Sequence, residues 1–447
     1  FAETEVDTRQ VNLTRFRLFF PEKRAFFLEG ANQYQFSLGL GEQFIPFFSR
    51  RIGLLEGEQI PIEAGAKLNG RVGRWNLGLL DVQTRETRTS TGVVPGTNLL
   101  AGRLSYDVTS RLRVGTIFTN GAPQGLKRNS LLGLDAVWRT STFRGNKNLL
   151  VGGWTAMTAG DRQPGRRTGW GGRVDYPNDF LNCSASVNDY GVALNPALGF
   201  LPRPGVRRTD LSCTLQPRPS KNGPFRAVRQ QFFENEFTLV RNHQGIAESW
   251  GYFMAPLNFR LESGDRAEFN WYPHYEFLAA PFEIAHGVVI PPGSYRFTRW
   301  RIEAQSSTHR RFQAGSTTWF GSFYNGNLTQ WENYVRWTSP EGRLQLGLTT
   351  ENNYGHLQTG SFVQRLWQMQ SAFSWNPNLV LTSFIQYDTE SRNLGANTRL
   401  RWTFKPGNDL FVVWNRGWQR LILNPRELRL IPDNELLAVK LRWTFRR

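Results

Sequence analysis

Three groups of residues in this chain have the types and spacing to do chemistry. The first is a knot of opposite charges: Glu22, Lys23, Arg24 and Glu29 lie in PEKRAFFLEG, and Arg50 and Arg51 in FFSRRIG. Carboxylates and cations at that density suit a compact ion-pair network, which anchors a segment more readily than it builds a catalytic pair. The second group is a series of cations alternating with apolar residues: Lys67, Arg71, Arg111, Arg113, Arg299, Arg301, Arg343, Arg399, Arg401, Lys440 and Arg442. Lining a confined water path, they would hold a positive potential and favour anions or acidic glycans. They would be neutralised if acids of the N-terminal segment, such as Glu3, Glu5, Asp7, Glu22 and Glu29, reached them, because enclosed charges find partners. The third group is Cys183 and Cys213. Each shares a strand face with aliphatics, Leu181, Ala185 and Val187 in one case and Leu211 and Leu215 in the other. Sequential strands would bring them together facing lipid, as a cross-strand disulfide in an oxidising compartment or as two inert thiols.

Other chemistry has no sequence support. His243, His274, His286, His309 and His356 show no metal-ligand spacing, and there is no GxSxG, HExxH or phosphate loop. The expectation is therefore a non-enzyme without cofactor or metal. The chain is strongly basic, with 54 Lys+Arg against 36 Asp+Glu and a net charge of +18. Its cations alternate with apolar residues inside strands instead of clustering in helices or tails, which argues against nucleic acid as a partner.

The elements that must position these residues are strands. In ELLAVKLRWTFRR, Leu437, Val439, Leu441, Trp443 and Phe445 take one side, and Leu436, Ala438, Lys440, Arg442 and Thr444 the other. ANTRLRWTF repeats the pattern, with Thr398, Leu400, Trp402 and Phe404 opposite Arg399 and Arg401. So do Ala64, Ala66 and Leu68 against Lys67, Asn69 and Arg71, and Trp300, Ile302 and Ala304 against Arg299, Arg301 and Glu303. So many apolar faces need a cover, and the sequence offers no second layer; lipid can supply it. There is no apolar run long enough for a transmembrane helix and no signal peptide in the 447 residues, and the abrupt acidic start suggests that a signal and an upstream domain precede Phe1.

Short turns such as Asp107–Ser110, Arg144–Lys147 and Ser339–Gly342 alternate with longer connections such as Thr84–Asn98, Asp189–Arg208, Ala279–Gly293 and Asn415–Asn434. That is the asymmetry of outer-membrane barrels, with short periplasmic turns and long outer loops. The fold expected is all-β: a single large antiparallel transmembrane β-barrel of about 22 strands, within roughly 18 to 24. Residues 1–60 would form a first strand over Val11–Phe20 and a charged, plug-like knot partly in the lumen, and residues 61–447 the barrel. Trp75, Trp138, Trp319, Trp337, Trp402, Trp414 and Trp443 fit interfacial girdles. Tyr190, Phe200, Tyr354 and Trp418 are candidates to stack on sugar rings.

The strings NLTRFRLFFPEKRAFFLEG, FFSRRIG, IPIEAGAKLNGRVGRWNLGLLDVQT and LLAVKLRWTF resemble the bacterial domain-of-unknown-function family 5916, although members generally have Pro where this chain has Ala25. The resemblance implies an outer-membrane barrel that usually follows a signal peptide and a family-nine carbohydrate-binding module. The expected function is a porin-like channel for passive uptake across the Gram-negative outer membrane, surrounded by lipid and lipopolysaccharide. Its cargo would be small or oligomeric solutes, anions or acidic glycans. A plugged scaffold anchoring a periplasmic or surface protein partner is the alternative, and a barrel-borne glycan hydrolase a third.

Overall fold

The computed structural model describes residues 7–55, 57–90, 92–125, 128–160, 164–424 and 427–444, with side chains at 421–428 left aside. Glu3, Glu5 and Phe445, used in the sequence reading, lie outside the described residues. Of the described residues, 65% are in strands and 3% in helical turns. Among the described residues, 22 strands hydrogen-bond in one closed barrel order, with three further two-stranded sheets.

Alternation produces the strands and also sorts their faces. In Trp75–Thr84, Trp75, Leu77 and Leu79 are exposed while Asn76, Leu80, Val82 and Thr84 are buried. In the last strand, Glu427–Arg442, Leu437, Val439 and Leu441 are all more than half exposed, against Ala438, Lys440 and Arg442 on the other face. Hairpins follow from local chemistry. Gly73, at φ 58°, lets Ile62–Val72 fold back into Trp75–Thr84 through two residues, a turn that needs positive φ.

Two expectations are corrected. Val11–Phe20 is not a strand: Arg15 is drawn to Glu276, and Pro21 follows directly. The extra strand is Val228–Gln231, separated only by Phe232 from Phe233–Asn242, and Phe232 N–H still donates to Asn258 O at 2.9 Å. Nor is Asn415–Asn434 a loop, because Asn408–Asn424 and Glu427–Arg442 stay laddered from Asp409↔Arg442 to Asn424↔Glu427.

The described residues form two compact units, one of Phe16–Leu215 with Asn235–Gly251, the other of residues 7–15, 216–234 and 252–444. In the first, residues 25–51 make four short helical turns, Ala25–Leu28, Ala31–Tyr34, Gly41–Gln43 and Ser49–Arg51, against one face of the sheet. That face is called inner below. Its apolar packing includes Phe36, Phe44, Ile117, Leu131, Trp154, Tyr190 and Leu194. In the second unit the inner face is covered by Leu13 and by the hairpin Phe282–Ala285/Val288–Ile290, over Phe297, Phe323, Leu328, Leu357 and Phe362.

Candidate functional site: the inner face and the segment packed on it

The N-terminal segment docks by knobs and notches. Tyr34, Phe36 and Leu38 alternate along the chain, and each meets a strand glycine whose missing side chain makes room. A Cβ on Gly78 would come 3.1 Å from Tyr34, one on Gly133 would come 3.0 Å from Phe36, and one on Gly152 would come 2.7 Å from Leu38. Between the knobs, Ser37 N–H donates to Asp135 Oδ2 at 2.9 Å. That carboxylate is itself gripped by the Arg103 guanidinium, whose Nη2 donates to Oδ2 at 2.9 Å, and both side chains are almost wholly buried. Paired and hydrogen-bonded, the charges avoid the penalty that either would incur alone.

The charged knot forms around Glu22. Arg24 donates from Nε at 2.9 Å and Nη2 at 2.7 Å to the two Glu22 oxygens, and Ser49 Oγ donates to Oε2 at 2.8 Å. Lys23 and Arg24 N–H donate to Oε1. Arg24 also donates to Ile52 O and Ser49 O, closing residues 22–52 into one loop. Burial pushes the Glu22 carboxyl up, but Arg24 and Ser49 outweigh it and hold it below the ordinary value of 4.5. Arg51 reaches Ala197 O at 3.3 Å, and Arg50 lies over the Phe20 ring. Glu29 acts elsewhere: its carbonyl, with that of Phe26, accepts from Lys67 Nζ, so this wall cation meets backbone oxygens of the segment. Burial pushes the Tyr34 hydroxyl up to about 12.

Arg71 and Arg113 both bind Asp107, and Arg111 donates to Thr142. Arg301 holds Glu268 and Asn270, and Arg299 donates to Leu328 O and to Gln330 Oε1. Arg442 pairs with Asp409, and Arg401 reaches Pro377 O. The register sets Arg399 against Thr382 and Lys440 against Phe411 on the inner face. Arg343 occupies the turn before Leu344–Leu357. Lys67, Arg71, Arg111, Arg113, Arg299, Arg301, Arg401 and Arg442 thus meet wall acids, a wall hydroxyl, side-chain amides and backbone carbonyls. Asp7 takes part through its carbonyl, accepting from Gln386, while Arg9 binds Asp388 and Gln386, and Arg15 pairs with Glu276 at 2.9 Å.

Sequence reasoning missed an acidic belt on the second unit's inner face. Glu268 faces Glu303, Glu303 faces Thr317, Thr317 faces Glu332, and Glu332 faces Glu351. Arg266 and Arg301 hold the Glu268 and Glu303 end. The available signal was parity: each glutamate falls on the same side of its strand as the neighbouring inner cations.

Cys183 and Cys213 are direct cross-strand partners, bonded at 2.01 Å, on the face of exposed Val187 and Leu211. Trp319 is not a girdle residue, because it pairs with Arg301 across the ladder and the guanidinium lies 5.2 Å over its ring on the inner face. Trp75, Trp337, Trp402 and Trp443 are exposed on the outer face, the last with its ring 5.7 Å from that of Phe404 and tilted by 41°, beside Trp402. Tyr190 and Phe200 cannot stack on sugars, since the first is buried against Phe44 and Trp154 and the second packs on Phe19 and Phe48. No group of three or more His, Cys, Asp or Glu among the described residues could hold a metal. His243 sits beside Asp189 and Arg166 instead, with burial and the cations Arg166 and Arg207 lowering its affinity for a proton.

No family model matches the chain, and no curated protein matches it. Among solved structures it is similar to the ferric-catecholate import receptor Fiu from E. coli K12 in its open form, at 7% identity over 79% of this chain and 67% of that one, with a TM-score of 0.39. It is also similar to the copper transporter OprC, at 11% identity over 85% and 70% of the two chains, with a TM-score of 0.44.

Proposed function

We propose that the chain is a bacterial outer-membrane barrel that passes small or oligomeric anionic solutes, with residues 16–60 narrowing the path. The observation that carries this reading is the division of faces: leucines, valines and tryptophans stand exposed outside, whereas the inner face bears arginines and carboxylates. An apolar outer band suits hydrocarbon, and a charged interior suits water. In this reading the short turns face the periplasm. The resemblance to family 5916 adds an upstream carbohydrate-binding module, which would make acidic glycans the natural oligomeric cargo.

Single-channel conductance in a planar bilayer under a salt gradient tests the reading. Steady current with a reversal potential on the anion side is expected, and charge reversal at Arg399 and Arg401 should move that potential toward cations. A silent bilayer from folded, inserted protein would favour the scaffold reading. The docking of Tyr34, Phe36 and Leu38 into Gly78, Gly133 and Gly152 is the observation that supports that alternative.

A further inference from the structure

We propose that the short-turn rim of the first unit is an oxyanion site in which Arg71, Arg74, Arg111, Arg113 and Arg139 take a phosphate or phosphate ester. These five arginines line one cavity of about 400 Å³ with Asp107, Thr109 and Ser110. The register explains why they converge. Asp107 faces Arg113, Leu112 faces Trp138 so that Arg139 follows at the same level, and Arg71 precedes the tight turn containing Arg74.

Asp107 is the one carboxylate in this lining, and it is already committed. Arg113 donates to it from Nε at 2.6 Å and Nη2 at 3.2 Å, and Arg71 from Nη2 at 3.2 Å. Arg74 and Arg111 reach only neutral acceptors, Val108 O and Thr142 Oγ1, each at 3.3 Å. Arg139 has no side-chain hydrogen bond or ion pair among the described residues. Five guanidiniums against one carboxylate leave four uncompensated positive charges around a single cavity, a repulsion that a bound anion would relieve.

Guanidinium forks bind carboxylate and phosphate in a bidentate fashion. Donors from three neighbouring hairpins line this cavity, more than the two oxygens of one carboxylate can use and enough for the several oxygens of a phosphate. The cavity volume falls in the range of small-molecule sites, leaving room for the organic part of an ester. This proposal deepens the anion-conducting reading, but its test involves no current, so either can fail without the other.

The experiment is calorimetric titration of inorganic pyrophosphate into the full chain folded in detergent micelles at about 0.15 M salt, where distant surface charges are screened. Saturable binding of one pyrophosphate per chain is expected. Arg111→Gln and Arg139→Gln should each weaken it about tenfold, the scale of one charge-assisted hydrogen bond. Lys405→Gln, in the other unit, should leave it unchanged. Retention of the heat-modifiable band on a gel shows that each variant is folded. Absence of saturable heat, or equal affinity in the Arg111→Gln/Arg139→Gln double variant, overturns the site. Glucose 6-phosphate and dihexanoyl phosphatidic acid, titrated separately, identify the source: tighter binding of the first supports the site as one for soluble esters, tighter binding of the second as one for lipid headgroups.

Discussion

Glu22 shows how much one acid can organise in a segment with little regular structure. Its two oxygens collect the side chains of Arg24 and Ser49 and two backbone N–H groups. Because its folded pKa lies below the ordinary 4.5, the stability it contributes is present above that value and is lost as pH falls through the folded value. Limited proteolysis should therefore find residues 22–52 protected at neutral pH and increasingly cleavable as pH falls below 4.5 and through the folded value. Glu22→Gln should open the loop at every pH, at a cost of about 1–3 kcal/mol; a variant as resistant as the parent would remove Glu22 from this role. At Cys183 and Cys213 the expectation is equally direct, given their opposition in the ladder: unreduced, unfolded protein should take up no maleimide, and two labels after reduction. The crowding of opposite charges was legible in the sequence. Its internal wiring was not, since nothing in PEKRAFFLEG separates Glu22, which binds by its carboxylate, from Glu29, which serves by its carbonyl.

Strands were the most readable elements, because an apolar outer face and a polar inner face impose a period of two. Lys67, Arg301 and Arg442 could be assigned to a face for that reason. Nearness to an expected strand end misplaced Trp319, because Phe312–Phe323 carries aromatics on both faces and its side is read from the partner strand. The segment was harder still. Tyr34, Phe36 and Leu38 also alternate, but what receives them is the absence of side chains at Gly78, Gly133 and Gly152, on strands far along the chain. A Leu at Gly133 would have to occupy the space of the Phe36 ring, with Ile117 Cγ2 at 2.8 Å on another side. Gly133→Leu should thus displace residues 34–38 and raise conductance while the barrel stays heat-modifiable. Phe36→Ala should loosen the same contact by about 3–5 kcal/mol of lost packing. Unchanged conductance in both would mean that the segment does not limit the path.

At the scale of the whole molecule, outward leucines and tryptophans predict that the protein needs detergent or lipid to stay dispersed, and that its circular dichroism is dominated by strand. Removal of detergent should give aggregation, not a soluble β-protein; a monodisperse detergent-free species would contradict the lipid-facing assignment. The closed, all-antiparallel grammar was largely visible in the sequence, whereas the acidic belt from Glu268 to Glu351 was not, because its members lie on separate strands and meet only through register. The glycine notches also have a consequence in time. Residues 34–38 are made early, but their receptacles lie on strands ending at Thr84, Phe143 and Ala159, so the knobs have nowhere to dock until those strands have paired. Ser37 must wait for Asp135, 98 residues on. Contacts of such sequence separation form late. Until then the segment is an unsatisfied apolar stretch, and its protection from protease should lag behind the appearance of the heat-resistant barrel.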